Sequence, residues 1–188
     1  ADDRRGVGPG RDRQRAGVGP QTIMSGVLVR AVLASDAARL VEIYNHYVLH
    51  TAISFEEAAI SAADMAVRID KVQQLKLPWL VAERDGVLFG YAYAGLWRER
   101  HAYRFAVEST VYVAHDAGVR GIGAALYSSL FDMLRKAGYH TVLGVIALPN
   151  AASIALHEKF GMRQVAHFRE VGFKFGKWHD VGNWQVVL

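Results

Sequence analysis

Apolar residues recur along this chain at two spacings, and each change of spacing marks a new element. Val27 to Leu33 reads as a strand, and Ser35 or Asp36 can cap a following helix whose apolar face is Leu40, Val41, Tyr44, Tyr47 and Val48. A second helix begins at Ser61, where Asp64 completes a capping-box pattern. It turns Met65, Ile69 and Val72 inward and stops near Pro78. Trp79 to Glu83 and Val87 to Ala94 flank Asp85-Gly86, a strong hairpin signal, and Phe105 to Val113 extends the same antiparallel sheet. Ile122, Leu126, Leu130, Met133 and Leu134 predict a third helix ending near Gly138. His140 to Ala147 is an apolar strand, and Pro149-Asn150 opens a helix that Gly161 halts. Short strands close the chain near Met162–Phe168 and Gly182–Val187. This succession predicts one mixed α/β domain, without internal repeats.

Composition adds limits. At 188 residues and 52% hydrophobic content, the chain can bury a core of its own. No window approaches the ~18 uninterrupted apolar residues of a membrane helix, so no membrane partner is expected. The absence of cysteine rules out disulfides, a thiol nucleophile and thiolate metal sites, and fits a cytoplasmic setting. Eight histidines show neither HExxH spacing nor a ligand cluster, so no metal is expected. The formal net charge is +4. Half of it comes from residues 1–26, where Arg4, Arg5, Arg11, Arg13 and Arg15 outnumber Asp2, Asp3 and Asp12. The near-neutral remainder argues against a nucleic-acid partner. The tail 1–26 has no apolar periodicity and is expected to be disordered and basic, with Met24 a candidate natural start and the domain occupying 27–188.

The densest chemistry lies in residues 107–126. Val107-Glu108-Ser109-Thr110-Val111-Tyr112-Val113 is a β-rich run with one embedded carboxylate, and Gly121-Ile122-Gly123 opens a helix soon after. A helix start exposes unpaired N–H groups and a positive dipole end, and missing side chains let a phosphate approach. A Walker loop would continue as Gly-Lys-Ser/Thr, whereas Ala124-Ala125 follow here. A dinucleotide fingerprint would need glycine at Leu126 and an acid where Leu143 and Gly144 stand. A tight turn with close helix packing is the other reading of the glycine pair. A lone carboxylate in such a strand is either salt-bridged, edge-exposed or required by chemistry. Alternation puts Glu108, Thr110 and Tyr112 on one face and Val107, Ser109, Val111 and Val113 on the other.

Several segments together resemble the GNAT acetyltransferase superfamily, specifically its phosphinothricin N-acetyltransferase branch. They are Tyr91-Ala92-Tyr93-Ala94-Gly95 with Trp97, Glu108 to Val113, Gly121-Ile122-Gly123, Leu148-Pro149-Asn150 with Ser153, Leu156-His157-Glu158, and Trp178-His179-Asp180-Val181-Gly182. The resemblance runs from about Val27 to Leu188. It implies a central twisted, largely antiparallel sheet, flanked by helices, with a parallel pair splayed around acetyl-CoA. The co-substrate would add like a strand to Val111, Tyr112 and Val113. Its pyrophosphate would rest on Val119, Arg120, Gly121, Ile122, Gly123 and Ala124, and Asn150 and Ser153 would contact the pantetheine arm. The branch usually carries Gln or Arg where this chain has Gly118, a departure that backbone-mediated binding tolerates and Arg120 can offset.

An alkylammonium cannot attack a thioester until it loses a proton, and a partly buried carboxylate of raised pKa can take that proton directly or through water. The resemblance assigns this to Glu108. His157 projects from the same helix face as Asn150 and Ser153; most relatives carry tyrosine there, and its part as acid, second base or orienter stays open. The backbone N–H near Val113 is the implied oxyanion donor. Phe55 matches an acceptor-pocket position. Tyr103 and Arg104 belong to a basic, aromatic loop suited to carboxylate, phosphinate or sulfone oxygens. The implied activity is acetyl transfer to the amine of a small amino-acid analogue such as phosphinothricin, methionine sulfoximine or methionine sulfone, with implied herbicide resistance. A peptide, polyamine or aminoglycoside acceptor, or a non-catalytic acyl-CoA sensor, are the alternatives. The branch also implies a homodimer, with Phe173, Phe175, Trp178 and Trp184 suited equally to an interface or a core.

Overall fold

The computed structural model describes residues 22–24 and 26–188. Residues 1–21 and Ser25, where most of the expected disordered tail falls, lie outside the described residues. Thr22–Met24, within the expected tail, form strand β1, paired antiparallel with β2 (Val27–Ala31) through Thr22↔Val29 and Met24↔Val27.

After β2 come α1 (Ala37–His50), α2 (Ala62–Gln74), β3 (Trp79–Arg84), β4 (Val87–Leu96), β5 (Ala106–Val113) and α3 (Ile122–Lys136). The chain continues through β6 (Thr141–Ala147), α4 (Ala151–Lys159), β7 (Arg163–Lys174) and β8 (Lys177–Val187). Among the described residues the strands form one eight-stranded sheet in the order β1-β2-β3-β4-β5-β6-β8-β7. Every neighbouring pair is antiparallel except β5 and β6.

Local signals account for most boundaries. Ser61 and Asp64 close the expected capping box: the Asp64 N–H donates to Ser61 Oγ at 3.1 Å and the Ser61 N–H to Asp64 Oδ2 at 2.9 Å. Asp85 and Gly86 both take positive φ (52° and 78°), as a two-residue hairpin turn between right-twisted strands demands. Asp36 acts differently from expectation. Its carboxylate accepts the Leu33 N–H at 2.7 Å and the Arg30 guanidinium at 2.8 and 3.0 Å, so it ties a short 3-10 turn to β2 rather than capping α1 directly. The buried stripe of α1 is Leu40, Ile43, Tyr44 and Val48, with Val41 and Tyr47 only half-buried.

Helices α1 and α2 cover one sheet face, while α3 and α4 cover the other. Tyr44 of α1 meets Tyr112 edge-on at 5.1 Å, and Tyr127 of α3 reaches Ser109 on the opposite face of the same strand. Strands β7 and β8 are longer than the sequence suggests because a Phe175-Gly176 turn, with φ of 52° and 71°, joins them directly. Much of β7 is exposed, so it lacks the core-facing alternation that marks a strand in sequence.

One irregularity positions the site. Strands β5 and β6 pair only at Ala106↔Thr141, Val107↔Val142 and Glu108↔Leu143, although β5 runs on to Val113 and β6 to Ala147. At the fork, Ser109 Oγ donates to the Leu143 carbonyl at 3.1 Å. A side chain thus satisfies the acceptor that a further backbone donor would have used, and the two strands part.

Candidate active site

The ladder with β4 decides which backbone groups of β5 face the fork. The Ala114 N–H donates to the Phe89 carbonyl at 2.7 Å, so Tyr112 and Thr110 also spend their amides on β4. The backbone groups of Val111 and Val113 therefore turn toward the gap. The Tyr47 hydroxyl donates to the Val113 carbonyl from that side. An exposed strand edge of this kind can accept an extended ligand as an added strand.

Two cavities meet in the gap. The first, of 290 Å³, is lined by Glu108, Thr110, Tyr93, Glu56, Arg68 and His157 among others. The second, of 240 Å³, is lined by Val111, Tyr112, Val113, Asn150, Ser153 and Leu156, with Tyr47 at its wall. Ile53, Val111, Tyr112, Asn150 and Ser153 border both, so the two cavities adjoin. Asn150 has a structural task as well: its Oδ1 accepts the Ser153 N–H at 3.1 Å and caps α4.

Residues 119–124 form the approach to α3. Gly121 sits at the N-cap with φ 86°, a conformation that favours glycine. The Ala125 N–H makes the first helical bond, to Gly121. The amides of Ile122, Gly123 and Ala124 precede it and lack intrahelical acceptors. A Cβ on Gly123 would stand 3.1 Å from Leu156, so this glycine also lets α3 and α4 approach. Ile122 anchors the turn in the core and Arg120 is exposed, which leaves an anion cradle at the mouth of the gap.

Glu108 is half-buried on the face shared with Thr110 and Tyr112, and burial raises its carboxyl above the ordinary range. His157 lies on the other face, 3% exposed. Its Nδ1–H donates to the Ser153 carbonyl at 2.7 Å, so Nε2 accepts the Tyr127 O–H at 3.0 Å. Burial lowers the imidazole pKa, which keeps the ring neutral, and raises that of Tyr127. Tyr127 in turn meets Ser109 Oγ at 3.2 Å. Glu108 and His157 thus approach one cavity from opposite sides of a parted sheet. They do not touch as a pair.

Three residues of this site escaped the sequence reading. Arg68 donates to both carboxylate oxygens of Glu56, at 2.8 and 3.1 Å, and both line the cavity with Glu108. Burial alone would raise the Glu56 carboxyl, but the Arg68 guanidinium holds it below its ordinary value. A signal existed: with Met65, Ile69 and Val72, Arg68 occupies one helical stripe, where a charge needs a partner. Tyr127 gave no such signal, since an aromatic residue on α3 reads as core.

The residues expected on the acceptor side stand elsewhere. Phe55 packs its ring against Gly172, where a Cβ would come within 2.2 Å. Tyr103 borders a separate cavity with Arg98, Glu99 and Arg100, and Arg104 lies over the Phe105 ring at 4.4 Å. Among the described residues no group of three or more His, Asp or Glu could hold a metal ion, and no helix is long and apolar enough to cross a membrane.

Comparisons with known proteins show which family the chain resembles. The GNAT acetyltransferase domain family matches residues 29–182. Phosphinothricin N-acetyltransferase of Streptomyces viridochromogenes is 40% identical over 159 residues, 85% of this chain and 86% of that protein. The L-methionine sulfoximine/L-methionine sulfone acetyltransferase of Salmonella typhimurium is 38% identical, over 85% of this chain and 94% of its own. A GNAT phosphinothricin acetyltransferase from Sinorhizobium meliloti, solved in complex with acetyl-CoA, superposes with TM-score 0.83 at 35% identity, covering 87% of this chain and 89% of that one. The family match takes in the strands and helices from β2 to most of β8, and the chain belongs to the GNAT acetyltransferase family.

Proposed function

We propose that the protein acetylates the amine of a small amino-acid analogue, of the phosphinothricin, methionine sulfoximine or methionine sulfone type, with Glu108 as general base. The observation that carries this reading is a single carboxyl of raised pKa in a cavity that opens onto the free backbone edge of Val111 and Val113. Acetyl-CoA supplies the electrophilic thioester carbonyl. The residues present suit it: Val111 and Val113 offer strand-like hydrogen bonds, Asn150 and Ser153 border the channel, and the first amides of α3 offer an anion site. Glu108 takes the proton that the acceptor ammonium must lose, and the Val113 N–H is placed to donate to developing negative charge. His157 acts as an orienter, because both of its ring nitrogens are engaged, Nδ1 by the Ser153 carbonyl and Nε2 by Tyr127, which lines the cavity beside it.

Within one protomer, Glu56 and Arg68 form the cavity wall on the Glu108 side of the sheet, and a guanidinium there suits a carboxylate or phosphinate. Phe55, Tyr103 and Arg104 remain candidates for acceptor selection, reaching it through loop movement or from a second protomer. A homodimer fits the β7–β8 hairpin. Phe173, Phe175 and Trp178 are exposed, with Phe173 and Trp178 rings 4.9 Å apart, whereas Trp184 is buried. Trp178→Glu should convert dimer to monomer in sedimentation velocity; an unchanged dimer would assign the contact to another surface. A cytoplasmic setting suits a reaction that consumes acetyl-CoA.

Thiol release from acetyl-CoA tests the activity against a low background, since the chain has no cysteine. Turnover is expected with methionine sulfoximine, methionine sulfone or phosphinothricin, and not with polyamines, aminoglycosides or peptide N-termini. Coenzyme A binding without thiol release on any amine would instead identify a sensor.

A further inference from the structure

Lys174 is 1% exposed. Its ammonium donates to three backbone carbonyls, those of Val48 at 2.6 Å, Ser54 at 2.6 Å and Glu56 at 2.7 Å. Burying a charge this way is costly unless every donor is used, and here all three are. The acceptors lie at the end of α1 and in the irregular segment 51–61, a stretch with no sheet or helix to hold it. That segment forms part of the cavity wall: Ile53 and Glu56 face the space that Glu108 faces, and Glu56 grips Arg68. A second contact joins the same two parts, since the Phe55 ring fills the place a side chain at Gly172 would take.

We infer that Lys174 is a positioning residue of the acceptor pocket: its ammonium pins segment 53–56 to the β7–β8 hairpin, so the hairpin sets where the Glu56–Arg68 pair stands opposite Glu108. The inference rests on the reading of this cavity as the acceptor site. Acceptor affinity then depends on the hairpin, while the acetyl-CoA channel along Val111 and Val113 does not. Segment 53–56 shares only Ile53 with that channel.

Lys174→Met in the full chain removes the three donors and keeps most of the volume. The acceptor KM should rise at least about tenfold, with kcat at saturating acceptor changed by less than about threefold and the coenzyme A Kd by less than about twofold. Because the protein has no other cysteine, Lys174→Cys treated with bromoethylamine in denaturant and refolded regains an ammonium at one site only. It should recover the acceptor KM, and alkylation with a neutral reagent should not. Gly172→Ala presses on Phe55 and shifts the same segment with Lys174 intact, so it should give the same split should the Lys174 variants fail to fold. An acceptor KM within about twofold of wild type in a folded Lys174 or Gly172 variant overturns the inference, as does a matching loss of coenzyme A affinity. Wild-type protein that turns over no amine would instead sink the functional reading beneath it.

Discussion

Glu108→Gln lowers kcat by about 10²–10⁴-fold, the contribution expected of a positioned general base, and leaves the coenzyme A Kd near its wild-type value. The amide keeps the shape of the side chain and cannot take the ammonium proton. The pH dependence sharpens the test. Burial raises the Glu108 pKa, so activity falls as pH drops through that raised value, and the acidic limb lies above the ordinary carboxylate range. Glu108→Gln loses this limb. Stability moves the other way: the folded state binds this proton more tightly than the unfolded state, so ionising Glu108 costs stability as pH rises through the interval. At neutral pH the variant should therefore melt no lower than wild type, and a thermal scan separates lost chemistry from lost folding. Unchanged turnover, or a limb retained in the glutamine variant, would remove Glu108 from the reaction.

Gly144→Ala is expected to cost about 10–100-fold in kcat, although the residue touches no substrate. Its Cβ would stand 2.4 Å from both Cδ2 and Nε2 of His157, closer than such atoms approach. Gly144 is held in β6 opposite Trp184 of β8, so the strand cannot easily yield. The imidazole must move instead, and it takes with it the bond to Tyr127 and the Tyr127 contact with Ser109. Overpacking of this kind also lowers stability by about 1–3 kcal/mol. Combined with His157→Ala, which removes the ring, the added methyl should cost nothing further. A double-mutant cycle measures that coupling, and additive losses would show that Gly144 acts through something other than the histidine.

Much of the fold was legible because its signals are local. The capping box of Ser61 and Asp64, the Asp85-Gly86 turn and the stripe of α3 each arise from residues within a few positions of one another. Glu108 stood out for a related reason, since a carboxylate inside a β-rich run needs some compensation. The β7–β8 hairpin shows only part of its length in sequence, because most of β7 is exposed on both faces and its turn is Phe175-Gly176, so neither alternation nor turn chemistry marks it. Arg68 showed itself on an apolar stripe but not its partner, which sits twelve residues earlier on an irregular segment.

The chain's order of residues settles where most helices and the central strands begin, the glycine turn at the start of α3, and which side chains of β5 share a face, because these follow from periods of 2 and 3.6 and from backbone sterics. Tertiary structure alone decides that β5 and β6 stop pairing after Glu108 and Leu143, that Glu108 and His157 reach one space from opposite faces, and that Lys174 holds a segment more than a hundred residues away in sequence. Those features depend on hydrogen-bond partners and packing brought together only when distant parts of the chain meet, and no short-range pattern encodes them.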